Sequence, residues 1–146
     1  LLLIGKTNAA ITELGKLFKE KKIQKTYFAI TIGETCKGGV INLNIDSKSA
    51  STIFEVLQSE VSGRFKFLNL VKLSPKTGRK HQLRKHLFAI GNPILGDKEY
   101  YLEDKVLNGK GLYLHASTLK FEHPFTKEKI SASKELPQKF KKIFAD

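Results

Sequence analysis

Apolar residues recur along this chain in two rhythms. Ala10, Leu14, Leu17 and Phe18 fall three or four apart, the spacing of one helix face. Thr7 or Asn8 just before them can cap that helix, and the basic run from Lys19 to Lys22 suits its negative end. Over residues 25–33 the period changes to two. Phe28, Ile30 and Ile32 share one side and Tyr27, Ala29 and Thr31 the other, which predicts a strand with Tyr27 free of the core if the first three fill it. Gly38-Gly39 reads as a turn into a short strand at 40–44. The β-branched and aromatic content of 52–58 favours another strand. Ser62-Gly63 turns the chain into 64–73, where Phe65, Phe67, Val71 and Leu73 lie on one side and Asn69 is the polar exception. The last two strands predict a hairpin.

Helical spacing returns over 80–90, with Leu83, Leu87 and Ile90 inward and Gly91 as the stop. Residues 92–101 read as a structured loop. Strands follow at 112–116 and 118–122, a turn at His123-Pro124, a strand at 130–132 and a short amphipathic helix at 136–144. Leu1-Leu2-Leu3-Ile4 reads as the second half of a buried strand over 1–6. Separated rather than alternating elements predict an α+β fold, a mixed and largely antiparallel sheet with flanking helices, in a single domain 1–146.

Charge narrows the function. The net charge is +12 and the pI near 9.8, which points to a polyanionic partner, nucleic acid first. A lysine-rich solvated surface is the plain alternative. Cys36 is the single cysteine, so neither an intrachain disulfide nor a zinc site of paired cysteines is expected. The expected compartment is reducing and intracellular, the cytoplasm first, with mitochondrion and plastid as alternatives. No apolar run approaches the roughly 20 residues of a membrane span, so no membrane partner is expected. The chain contains no Met and is expected to be part of a longer protein.

The densest chemistry lies in Leu73-Ser74-Pro75-Lys76-Thr77-Gly78-Arg79-Lys80-His81-Gln82-Leu83-Arg84-Lys85-His86. Arginines are scarce, Arg64, Arg79 and Arg84 among 26 basic residues, and two of them fall here. Their planar fork grips phosphate or carboxylate with defined geometry, which lysine does not provide. Gly78 permits a positive φ at a strand-to-helix corner, and a helix starting just beyond would aim free N–H groups at an anion. Lys76, Arg79 and Lys80 surround that point. A phosphate grip and a routine solvated turn both fit these residues. Arg84 fits either a surface pair or a cleft carboxylate. His81 and His86 are five apart, off a shared helix face, so no metal is expected. A ribonuclease using His81, His86 or His115 as acid and base is chemically conceivable, but nothing in the sequence pairs them. Tyr27 fits either a core aromatic or a base-stacking platform.

Taken in order, Lys25-Thr26-Tyr27-Phe28-Ala29, the Pro75–His86 motif, Gly91-Asn92-Pro93-Ile94-Leu95-Gly96-Asp97, Leu114-His115-Ala116 and His123-Pro124 resemble the RluA-type RNA pseudouridine synthases. The resemblance spans nearly the whole chain. It implies isomerisation of uridine to pseudouridine in structured RNA, ribosomal or transfer, by a monomer needing no metal or organic cofactor. The uridine is flipped from its stack, an aspartate acts at the sugar–base junction, and the uracil turns and rejoins through carbon. The same resemblance implies that Tyr27 stacks on the uracil, that Arg84 pairs with the catalytic aspartate and that Leu114 lines the base pocket. It places Lys76, Thr77, Arg79, Lys80, His81, Gln82 and Lys85 against RNA. The family's His-Arg-Leu-Asp…Thr-Ser-Gly segment has no counterpart here. Asp46, Asp97, Asp104 and Asp146 all lie elsewhere, so the nucleophile is expected upstream of Leu1 and the isolated chain is expected to be inactive. A non-catalytic RNA-binding module is the alternative.

Overall fold

The computed structural model describes residues 1–144; Asp146 lies outside them. Helix α1, Asn8–Lys19, begins where Thr7 Oγ1 accepts the Ala10 N–H at 3.1 Å and ends among Lys16 and Lys19. Its apolar period is real, yet none of its residues is buried, and Phe18 keeps 45% of its surface exposed. The strand expected over residues 1–6 does not form. The Leu1 nitrogen instead donates to the Ala116 carbonyl at 3.1 Å.

The strands are β1 Gln24–Ile32, β2 Gly38–Asn42, β3 Ser51–Ser62, β4 Lys66–Pro75, β5 Leu114–Glu122 and β6 Lys129–Ser133. They form one antiparallel sheet in the order β2-β3-β4-β1-β5-β6. With the helices this is the expected α+β architecture, and β3–β4 is the expected hairpin. Two details differ. Gly38-Gly39 lies inside β2, where a Cβ on Gly38 would sit 2.8 Å from the Phe54 carbonyl oxygen. Glycine there serves close backbone approach rather than a turn. The two strands expected at 112–122 are one, β5, with a register shift opposite Thr26 and Tyr27.

Strand β1 is central, so its far half is covered on both faces. Ala29 and Thr31 are as buried as Ile30 and Ile32, contrary to the one-sided core read from alternation. The buried Asn69 is satisfied by Ser59 Oγ at 2.7 Å and the Gly33 carbonyl at 2.8 Å. Pairing places Thr52, Phe54, Leu73, Tyr27, Ala29 and Leu114 on one face. Helix α2, Gln82–Ala89, lies on that face, because Gln82 and His86 both bond the Thr52 hydroxyl. Gly91, φ 82°, ends α2 as expected. The expected 136–144 helix shortens to α3, Gln138–Lys141. Its Phe140, 1% exposed, packs against Tyr113 and His115. His115 pairs with Phe28, so α3 covers the opposite face.

Candidate active site

The turn between β4 and α2 is held from inside. Gln82 is 4% exposed. Its Oε1 accepts the Thr77 hydroxyl at 2.7 Å and the Arg79 N–H at 3.1 Å, while its Nε2 donates to the Ser51 carbonyl and to Thr52 Oγ1, both at 3.0 Å. A buried amide with these four bonds has no capacity left for a ligand. The Gln82 side chain therefore shapes the turn, contrary to the expected RNA contact. Thr77 is engaged likewise, its Oγ1 also accepting the Ser51 N–H at 3.0 Å. Gly78 does not take a positive φ; the left-handed residue is His81, φ 54°, and the helix begins only at Gln82. The phosphate cradle expected at Gly78 is therefore absent in that form.

What the turn presents outward is charge. Lys76, Arg79 and Lys80 are exposed. Arg79 Nε donates to the Ser49 carbonyl at 3.1 Å, which fixes the stem of its fork. Lys85 reaches Asp46 at 3.4 Å. His86, 1% exposed, accepts the Thr52 hydroxyl at Nδ1 (2.9 Å) and donates from Nε2 to the Leu43 carbonyl (2.8 Å). The carbonyl can only accept, so the proton belongs on Nε2. His86 thus braces α2 against the sheet. His81 pairs with Tyr100 and His115 with the Lys134 carbonyl. These three histidines bond to separate partners, which leaves the ribonuclease reading without an acid–base pair.

Arg84 points into the protein. Its Nε and Nη2 donate to Asp97 Oδ2 and Oδ1, each at 2.8 Å, and Nη2 also reaches Glu99 at 3.3 Å. The guanidinium stacks 4.9 Å from the Tyr100 ring centroid. The Asp97 side chain has no exposed surface, and its Oδ1 also accepts the Glu99 and Tyr100 N–H groups at 3.0 Å. Burial opposes its ionisation more than any other single influence. The Arg84 bond and the two N–H groups together outweigh it and hold the carboxyl below its ordinary value. The same pair raises the Arg84 pKa, chiefly through the bond to Asp97. Pattern reasoning put Asp97 in a loop and missed this partnership. The signal was Gly96: at φ 82° its missing Cβ lets the chain pass where a methyl would lie 2.0 Å from the Gly111 carbonyl oxygen.

That loop also joins Arg84 to the sheet. Leu95 donates its N–H to the Ile30 carbonyl and accepts the Tyr113 N–H. Asp97 thus stands two residues beyond Leu95, whose partners are Ile30 of β1 and Tyr113, the residue before the half-buried Leu114. Tyr27 is half-buried on the same face, and burial raises its hydroxyl pKa. Among the described residues the hydroxyl has no partner, and no buried side-chain polar atom lacks one. It therefore reaches the surface, as a pocket residue does and a sealed core tyrosine does not. No helix among the described residues is long and apolar enough to cross a membrane.

Comparison with known proteins identifies the family. A family model described as RNA pseudouridylate synthase matches residues 1–89. The chain is 31% identical, over 98% of its length, to the ribosomal large subunit pseudouridine synthase C of Vibrio vulnificus (strain CMCP6), of which it covers 50%. It is 36% identical, over 91% of its length, to the dual-specificity RNA pseudouridine synthase RluA of Pasteurella multocida (strain Pm70), covering 66% of it. The chain thus spans about half the length of the first of these relatives. The solved structure of human RNA Pseudouridylate Synthase Domain Containing 1 superposes with a TM-score of 0.72 over 89% of this chain and 61% of its own. At 24% identity that likeness speaks for the fold alone.

Proposed function

The chain belongs to the RNA pseudouridylate synthase family, and from that premise we propose that it forms the larger part of a catalytic domain that isomerises uridine to pseudouridine in structured RNA. Ribosomal RNA is the first candidate, from the printed name of the Vibrio relative, and transfer RNA the second. In this reading the uridine is extruded onto the sheet face that carries α2. Tyr27 offers its ring to the uracil, Leu114 supplies an apolar wall, and Lys76, Arg79 and Lys80 meet phosphates at the mouth. The N1–C1′ bond breaks, the base turns, and C5 bonds to C1′. The C5 proton leaves and N1 gains one, so the isomerisation needs no redox partner. The family's aspartate motif does not occur in these residues, so the nucleophilic carboxylate is supplied from outside them.

The observation that carries the reading is Arg84. A partly buried arginine held bidentately by Asp97 has a fixed plane, and its Nη1 makes no bond among the described residues. That free edge suits a second carboxylate, which it would orient and keep ionised. Asp97 is then a positioning residue. The test is release of tritium from C5 of uridine in RNA by a longer protein that joins this chain to an upstream aspartate segment. Release is expected with chelator present, and none from residues 1–146 alone. Release by 1–146 alone, or strand cleavage in place of isomerisation, would overturn the assignment.

A further inference from the structure

A cleft of about 1020 Å³ is not lined by Arg84, Tyr27 or Leu114. It opens between the C-terminal end of α1, the start of β1 and the turn after β4. Phe18, Lys19, Lys21 and Lys25 form one wall, and Lys76 and Arg79 the other; no acidic residue lines it. Lys16, Lys22, Lys66, Lys85 and Lys141 each sit within ion-pair distance of a carboxylate, whereas among the described residues none of the five cations of the cleft does. Lys25 is the least expected. It is half-buried, its ammonium lies 5.0 Å from the Phe18 ring centroid, and burial lowers its pKa. A cation withdrawn from water without a counter-ion is costly. An anion entering the cleft offsets that cost, as no carboxylate among the described residues does.

We infer that this cleft binds a single-stranded RNA segment flanking the modified uridine, gripping its phosphates with Lys21, Lys25, Lys76 and Arg79 and stacking a base on Phe18. This rests on the RNA-modifying reading above. Exposed aromatic surface among unpaired cations is the pattern of single-strand sites, where stacking supplements charge. A duplex keeps its bases stacked inside, so it leaves Phe18 unused and cannot follow the cleft down to the recessed Lys25. Sharing Lys76 and Arg79 with the turn before α2 makes the cleft continuous with the mouth of the proposed uridine site. It would thereby set how the strand enters.

The test is fluorescence anisotropy of a labelled short oligouridylate with the whole 146-residue chain, against a duplex of equal charge and polyglutamate as competitors. Phe18 and Lys21 are exposed, so Phe18→Ala and Lys21→Ala should leave the melting temperature unchanged. Phe18→Ala is expected to weaken binding roughly tenfold, a middle value for one lost stack, with Phe18→Tyr near wild type. Lys21→Ala should flatten the slope of log K against log salt by about 0.7. Equal affinity of Phe18→Ala and wild type, tighter binding of the duplex, or displacement by polyglutamate at lower concentration than RNA would each overturn the inference. Arg84→Lys in the longer protein separates the two claims. Loss of tritium release there with oligouridylate binding intact supports both. Isomerisation that is insensitive to Phe18→Ala and Lys21→Ala on substrates with single-stranded flanks would remove the cleft and keep the catalytic reading.

Discussion

Asp97→Asn perturbs the site without changing its shape. The variant keeps Oδ1 and so the two backbone N–H bonds at 3.0 Å. In place of Oδ2, however, an amide NH₂ faces Arg84 Nε–H across 2.8 Å, donor against donor. Removing one partner of a fully buried ion pair costs about 3–5 kcal/mol. Arg84 is 18% exposed and retains Glu99 at 3.3 Å, so part of that cost is recovered. A loss of about 2–3 kcal/mol at neutral pH is expected, close to one or two charge-assisted bonds. The pH dependence follows from the depressed carboxyl. The unfolded carboxyl titrates near 3.9 (about the reference value), and the folded one lower. The stabilisation is therefore fully present above about pH 4 and is lost as the pH falls through the folded value. Urea denaturation followed by circular dichroism should show wild type ahead of Asp97→Asn at pH 7, with the gap closing in acid. Coincident midpoints at pH 7, or a gap that widens on acidification, would refute the reasoning.

Gly96→Ala should destabilise by roughly 2–6 kcal/mol, adding left-handed strain of about 1–3 to overpacking of about 1–3, because its Cβ would meet the Gly111 carbonyl oxygen at 2.0 Å; a thermal melt reads this, and an unshifted midpoint contradicts it. Tyr27→Phe should keep RNA affinity and stability, since the hydroxyl has no partner among the described residues. Tyr27→Ala should weaken binding of a flipped uridine by roughly 1–3 kcal/mol; a melt displaced by roughly 3–5 kcal/mol with unchanged affinity would make the ring structural instead.

Local periodicity identified α1, β1, the β3–β4 hairpin and α2 to within a few residues, because each carries its own apolar rhythm and its own stop. Burial was less legible. Alternation in β1 suggested one core side, but a central strand between β4 and β5 is covered on both, which depends on partners distant in sequence. Helix α1 shows the converse: its stripe is clear, yet nothing among the described residues buries it. The resemblance put Gln82 against RNA, and only the return of β3 beside the turn shows its amide engaged by Ser51, Thr52 and Thr77. The Arg84–Asp97 pair spans 13 positions and a loop whose path depends on Gly96 lying against Gly111, a contact without periodic signature. The cleft of Lys19, Lys21 and Lys25 was hidden for the same reason. Lys19 and Lys21 read as an ordinary helix end and Lys25 as the start of a strand until the fold sets them opposite Lys76 and Arg79.

The most direct measurement of the central claim is a structure of this chain bound to an RNA hairpin carrying one unpaired uridine. The account predicts the uracil turned out of the RNA, its plane about 3.5–4 Å from the Tyr27 ring, its edge against Leu114, and its ribose directed toward Arg84 with the Asp97 pair intact. A uridine still stacked within the RNA, or ordered elsewhere on the protein while Tyr27 and Arg84 contact no nucleotide, would contradict it.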